Sequence, residues 1–186
     1  MADVGIALTP EDLIEEVVFR LEVQRPDARL FAEFGEHLRR LGTQPALLAE
    51  PLASLPGTGS TIRILAQAGT GPTLLLARFD EEPGPVHDHG SWGVVHVLSG
   101  TARLTHWLRL DAGLERGQAR IRSLGDRLLR AGEVAWFGEP PDDIVSQQGV
   151  GGDVYELVLF GHNPTRGRRT RYDPATGEVH RWGSPV

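Results

Sequence analysis

The sequence predicts a mostly β chain, an antiparallel jelly roll preceded by two or three α-helices. Three observations predict it. Apolar residues recur at helical spacing between Leu13 and Leu41. Beyond residue 60, short apolar runs are separated by turn-formers at intervals suited to antiparallel strands. Between the two regimes lies Pro51–Gly59, with two prolines and two glycines. At 186 residues and 40% apolar content the chain reads most simply as one domain over 1–186. Its helical part would cover about 9–50, and the barrel about 60–186, with a C-terminal hairpin.

Thr9-Pro10-Glu11-Asp12 opens the first helix, with a capping threonine, a proline at the first position and two acids at the positive end. Leu13, Ile14, Val17, Val18 and Leu21 form its apolar stripe. A second helix is expected from Asp27 to Leu41, with Leu30, Phe31, Phe34, Leu38 and Leu41 inward and Gly42 as its stop. A short third covers Gln44 to Glu50. Strands follow near Thr61–Ala66, Thr73–Phe79, Gly93–Ser99, Ala102–Leu108, Ala119–Leu124, Glu133–Phe137, Ile144–Gln148 and Asp153–Phe160. Two edge strands, Thr170–Tyr172 and Glu178–Trp182, flank the turn Asp173–Gly177.

Composition excludes several chemistries. The net charge of −6 argues against nucleic acid as a partner. Every basic residue is arginine, so a lysine Schiff base is excluded. With no cysteine, disulfides, thiolate nucleophiles, zinc–thiolate sites and iron–sulfur clusters are excluded too. No apolar run approaches membrane-spanning length, and Met1–Gly5 lacks the features of a signal peptide. The expectation is a cytoplasmic protein, monomer or homodimer, with a small-molecule substrate and neither membrane nor nucleic acid as partner.

His87-Asp88-His89 is the most informative stretch. Side chains alternate along a strand, so the two imidazoles share a face and can reach one metal ion while Asp88 turns away. The pair is expected to open the strand that continues through Gly93–Leu98. The competing reading is two surface histidines in a loop. Any metal must be held by imidazole, carboxylate, amide or water.

The run from Pro85 to Gly100 resembles the first motif of the cupins, as written in the cysteine-dioxygenase-like group of bacterial thiol dioxygenases. The resemblance implies a cupin barrel in which His87 and His89 bind iron(II), with nickel, manganese or zinc as other occupants of such a site. It also implies loss of the glutamate used by most cupins, whose place falls at Gly93 or Val94. Arg63 lies near where the family carries an arginine for the substrate carboxylate. The tail Arg171–Glu178 is family-like as well. In the second motif the lead-in is Pro140–Ile144, and the position of the third histidine holds Val145. Asp143 and Gln147 share the face of Val145 and are the candidates to replace it. The family's serine–histidine–tyrosine relay on the last barrel strand reads Glu156, Val158 and Phe160 here. Glu156 is then an inward carboxylate available as acid, base or ligand, or paired with Arg63 or Arg78.

Other residues weigh less. His96 is turned to the opposite face from His89, His106 has no clear phase, and His37, His162 and His180 have no local company that suggests chemistry. Trp92 and Trp136 suit core packing as well as substrate stacking. The arginines at 166, 168, 169 and 171 read as a solvated loop, and the glycines at 149, 151 and 152 as a tight β turn. The functional expectation is a non-haem iron dioxygenase of a small carboxylated substrate such as a thiol, with Arg63 and Glu156 in catalytic roles. The alternative is a cupin that binds metal or a small ligand without turnover.

Overall fold

Local signals set the helices. The computed structural model describes residues 8–55, 59–113 and 115–182. Helix α1 (Pro10–Val23) starts on a capping box: Thr9 Oγ1 accepts from the Asp12 N–H at 3.1 Å, and the Thr9 N–H donates to Asp12 Oδ2 at 3.0 Å. Helix α2 (Ala28–Gly42) starts on Asp27, whose carboxylate accepts from the Leu30 N–H at 2.8 Å. Helix α3 (Pro45–Ala53) runs on past Glu50 and carries Pro51 inside it. Met1–Gly5, read above for its lack of a leader, and residues 56–58 of the linker lie outside the described residues.

Eleven strands follow among the described residues: β1 (Thr61–Gln67), β2 (Thr73–Phe79), β3 (Val86–His87), β4 (Gly93–Ser99), β5 (Thr101–Arg109), β6 (Ile121–Arg130), β7 (Val134–Phe137), β8 (Val145–Gly149), β9 (Val154–Phe160), β10 (Arg169–Tyr172) and β11 (Val179–Trp182). They form a five-stranded sheet in the order β1-β2-β9-β4-β7 and a six-stranded sheet in the order β11-β10-β3-β8-β5-β6. After β2 the chain passes repeatedly from one sheet to the other, and the paired strands are antiparallel. This is a jelly roll.

The five-stranded sheet is buried on both faces. Its outer face carries Leu74, Leu76, Val94, Leu157 and Leu159 against Leu13, Leu30, Phe34 and Leu38 of the helices. Its inner face carries Leu75, Val95, Val97, Val158 and Phe160 against Leu104, Leu129 and Val145 of the other sheet. Burial on both sides explains the unbroken apolar runs of β2 and β9. Trp92 is 2% exposed and lies under α2, its ring 5.3 Å from Phe31 and 5.8 Å from Phe34. It is a packing residue of the helix–sheet core.

Two expectations are corrected. Strand β6 runs to Arg130 rather than ending at Leu124. It is an edge strand, exposed along most of its length, so no apolar alternation marks it. The histidine pair does not open the strand Gly93–Ser99. His87 ends the two-residue β3 in the six-stranded sheet, and the chain then crosses to the other sheet. Gly90, with φ +67°, breaks the extended run.

Gly100 makes the β4–β5 turn at φ +85°, and a Cβ there would stand 2.3 Å from the Asp153 carbonyl oxygen. Gly100→Ala should therefore cost roughly 1–3 kcal/mol. Urea denaturation checks it, and an unchanged midpoint would count against this turn geometry.

Candidate metal centre

Strand β3 lies between β10 and β8, with His87 in register with Arg171 on one side and Val145 on the other. His87 Nδ1 is 2.9 Å from the Pro85 carbonyl oxygen and donates to it, which leaves Nε2 with its lone pair open. The His89 ring lies 4.4 Å from that of His87, stacked on Phe137 at 4.9 Å and tilted against Phe160 at 5.0 Å. Burial pushes both imidazoles below their ordinary pKa, His89 well below. Both are therefore neutral at pH 7, the form that binds metal. His89 Nδ1 is buried without a hydrogen-bond partner, a ring nitrogen that a cation or water would satisfy.

The pair lines a cavity of about 480 Å³ between the two sheets. Its walls are largely apolar: Leu75, Ala77, Val95, Phe137, Val158 and Phe160. Phe137 reaches its place because residue 93 is glycine. A Cβ on Gly93 would come within 2.2 Å of the Phe137 ring. The space of a side chain at residue 93 is thus filled by the ring that packs on His89.

Asp88 faces the outside of the sheet. Its carboxylate accepts from the Thr170 N–H at 2.7 Å and from the Tyr172 hydroxyl at 3.2 Å. It ties β10 to the histidine strand. Alternation along β10 then turns Arg169 and Arg171 to the cavity, where both line the wall with Trp182. Arg169 stacks over the Trp182 ring at 4.3 Å, and burial lowers its pKa. Neither arginine has an ion pair among the described residues. Sequence reasoning placed both in a solvated loop. The signal that could have found them is the period of two in Arg169-Thr170-Arg171-Tyr172.

Two expected site residues, Arg63 and Asp143, do other work. Arg63 lies outside the cavity and makes a two-pronged ion pair with Glu50 of α3, both contacts at 2.9 Å. Alternation on β1 turns Arg63 toward the helices, whereas its neighbour Ile62 lines the cavity. Asp143 is 2% exposed, and its Oδ2 accepts from the backbone N–H groups of His89, at 3.0 Å, and Gly90, at 2.6 Å. It clamps the chain that carries His89. Burial pushes its pKa up and these two N–H groups pull it down. His106 shares the inner face with Val145, but on the side of β8 away from His87. Among the described residues, no three of His, Cys, Asp and Glu come together as a metal-binding group. The residues thus fit a metal held by two imidazoles, with water or ligand completing the shell.

Gln147 lines the cavity one pleat beyond Val145, and its side-chain nitrogen donates to Glu156 Oε2 at 2.9 Å. Glu156 is fully buried in the barrel, and its Oε1 has no hydrogen-bond partner among the described residues. Arg63 and Arg78 are paired with Glu50 and Asp153 instead.

Burial pushes the Glu156 pKa from an ordinary 4.5 to about 8, against the opposing pull of the Gln147 amide. Between these values the folded state holds a proton that the unfolded chain releases. The stability it supports is complete below pH 4.5 and lost as pH rises through about 8. The loss should be on the order of a few kcal/mol, at ~1.4 kcal/mol per tenfold change in proton affinity. Glu156→Gln should flatten this slope and be the more stable form at alkaline pH. Denaturant melts from pH 4 to 9 decide it, and equal slopes in the two proteins would refute the assignment.

No family model and no curated protein matches this chain. Solved structures do resemble it. An oxalate oxidase in complex with the substrate analogue glycolate aligns with TM-score 0.43 and 20% identity, over 59% of this chain and 54% of that one. The DMSP lyase DddQ from Ruegeria pomeroyi DSS-3 aligns with TM-score 0.42 and 13% identity, over 60% and 50%. KdgF from Halomonas sp. aligns with TM-score 0.42 and 12% identity, over 56% and 82%. The matched part spans about half the length of the first two proteins. The order of the strands themselves makes this chain a jelly roll.

Proposed function

We propose that the chain binds one divalent metal, iron(II) first among candidates, on His87 and His89, and acts on a small carboxylate as a non-haem iron dioxygenase. The observation that carries the reading is the histidine pair. Two neutral imidazoles, their ring centres 4.4 Å apart, stand on the wall of a largely apolar cavity, and the Pro85 carbonyl orients one of them. The metal would supply Lewis acidity and redox chemistry toward oxygen.

The chain's own residues supply the rest. Arg169 and Arg171 bind the carboxylate of the incoming acid, neither being in an ion pair among the described residues. That role passes to them from Arg63. Phe137 and Phe160 keep water from the face of His89 that they cover. Glu156 holds a proton at its buried carboxyl, available to a group bound beside it. A thiol suits the apolar walls and a soft donor position at the metal. The second reading, binding without turnover, draws on the lack of a third His, Cys, Asp or Glu beside the pair among the described residues.

Protein purified without affinity-tag nickel and exposed to iron(II) should retain about one equivalent, and His87→Ala about a tenth of that or less. The iron-loaded protein should consume oxygen with some members of a panel of thiols and small carboxylic acids, and Arg171→Gln should raise the KM of the active members. Iron retention that survives His87→Ala overturns the metal site. Iron bound with no oxygen uptake across the panel leaves the binding module as the function.

A further inference from the structure

Gln147 lines the cavity, and the proposed chemistry gives neither it nor the unpartnered oxygen of Glu156 behind it a binding partner. Gln147 of β8 and Glu156 of β9 belong to different sheets, and their side chains meet inside the barrel at 2.9 Å. Glu156 is in register with the cavity-lining Ala77 on one side and with Val97 on the other. Val154 and Val158, two residues away on either side, belong to the inner core, so the carboxyl points inward. Only one of its oxygens is satisfied. Oε1 is wholly buried and has no hydrogen-bond partner among the described residues. Burying a polar atom without a partner destabilises the fold unless something else satisfies it. Leucine or valine at 156 would carry no such cost and would match the residues around it.

The arginines lie at the other end. Arg171 is two strands from β8, in the same cross-strand row as His87 and Val145. Gln147 lies about 7 Å further along β8. A short molecule bound by its carboxylate at the arginines therefore passes the histidines and ends at Gln147, behind which Glu156 is buried.

We infer that Gln147 and Glu156 form the inner recognition pole of the cavity, and that the ligand is a bifunctional small acid with a hydroxyl or amino group at the end remote from its carboxylate. The inference rests on the proposed binding of a carboxylate by Arg169 and Arg171, which it deepens. A hydroxyl both donates and accepts and an ammonium group donates, so either can satisfy Oε1 in a way that a methyl cannot. A site built around a buried polar atom discriminates strongly against an analogue that leaves the atom unpaired.

The test is calorimetric titration of the full chain, with and without zinc(II). The probes are straight-chain acids from propionate to valerate, their ω-hydroxy and ω-amino derivatives, and the alcohols and amines lacking the carboxylate. At the best length, the ω-hydroxy or ω-amino acid should bind at least about tenfold more tightly than the plain acid. Glu156→Val should bring that ratio to about one. Glu156→Gln, which keeps a polar partner for Gln147 should the valine variant not fold, should retain a hydroxyl preference and lose an amino one. Arg171→Gln should weaken all the acids alike and leave the ratio intact. Plain and substituted acids binding equally would overturn the inference and leave the arginine wall standing. Alcohols or amines binding as well as the acids, with the same dependence on Glu156, would support the inner pole and remove the carboxylate reading. Binding by none of the probes would overturn both.

Discussion

The site depends on one buried carboxylate. Asp143 Oδ2 accepts from the N–H groups of His89 and Gly90 where the chain leaves one sheet for the other. Extended backbone cannot make that crossing, and Gly90 in the left-handed region supplies the bend. Past it, Trp92 is locked beneath α2 by Phe31 and Phe34. The segment with His89 is therefore held at the bend by charge-assisted hydrogen bonds and downstream by aromatic packing. The helices face away from the cavity, yet they determine where β4 begins and so where His89 stands.

Asp88 extends the same logic to the opposite side of the strand. The histidines turn inward and this carboxylate outward, where it takes the Thr170 N–H and the Tyr172 hydroxyl. Three consecutive residues thus couple two imidazoles to the strand that carries two arginines. The result is a cavity with cationic groups at one wall, neutral imidazoles beside them, apolar sides, and an acid–amide pair within. Such a gradient orients a small anion before any chemistry takes place.

Much of this was legible in the sequence. The change of period near residue 60 separates helices from barrel, and Gly93–Ser99, Thr73–Phe79 and most other strands fall where the apolar runs lie. The shared inward face of His87 and His89 and the outward turn of Asp88 follow from alternation. What was not legible depends on contacts between distant segments. Arg63 was assigned to the carboxylate through the family resemblance alone, but its partner is Glu50 on a helix whose docking no local pattern reports. Asp143 shares a pattern with metal-binding carboxylates, and only the fold shows that two backbone N–H groups claim it. Phe137 fills the space above Gly93 from a strand far along the chain. Arg169 and Arg171 were hidden in an arginine-rich run whose alternation becomes informative only once β10 is known to pair with β3.

The central claim is a metal held by two imidazoles, beside a valine where a third would fit. X-ray absorption on the metal-loaded protein counts imidazole ligands directly through their outer-shell scattering. The structure calls for two in the parent and three in Val145→His, because residue 145 is in register with His87 and turned inward. Three imidazoles in the parent, or none, would contradict the account.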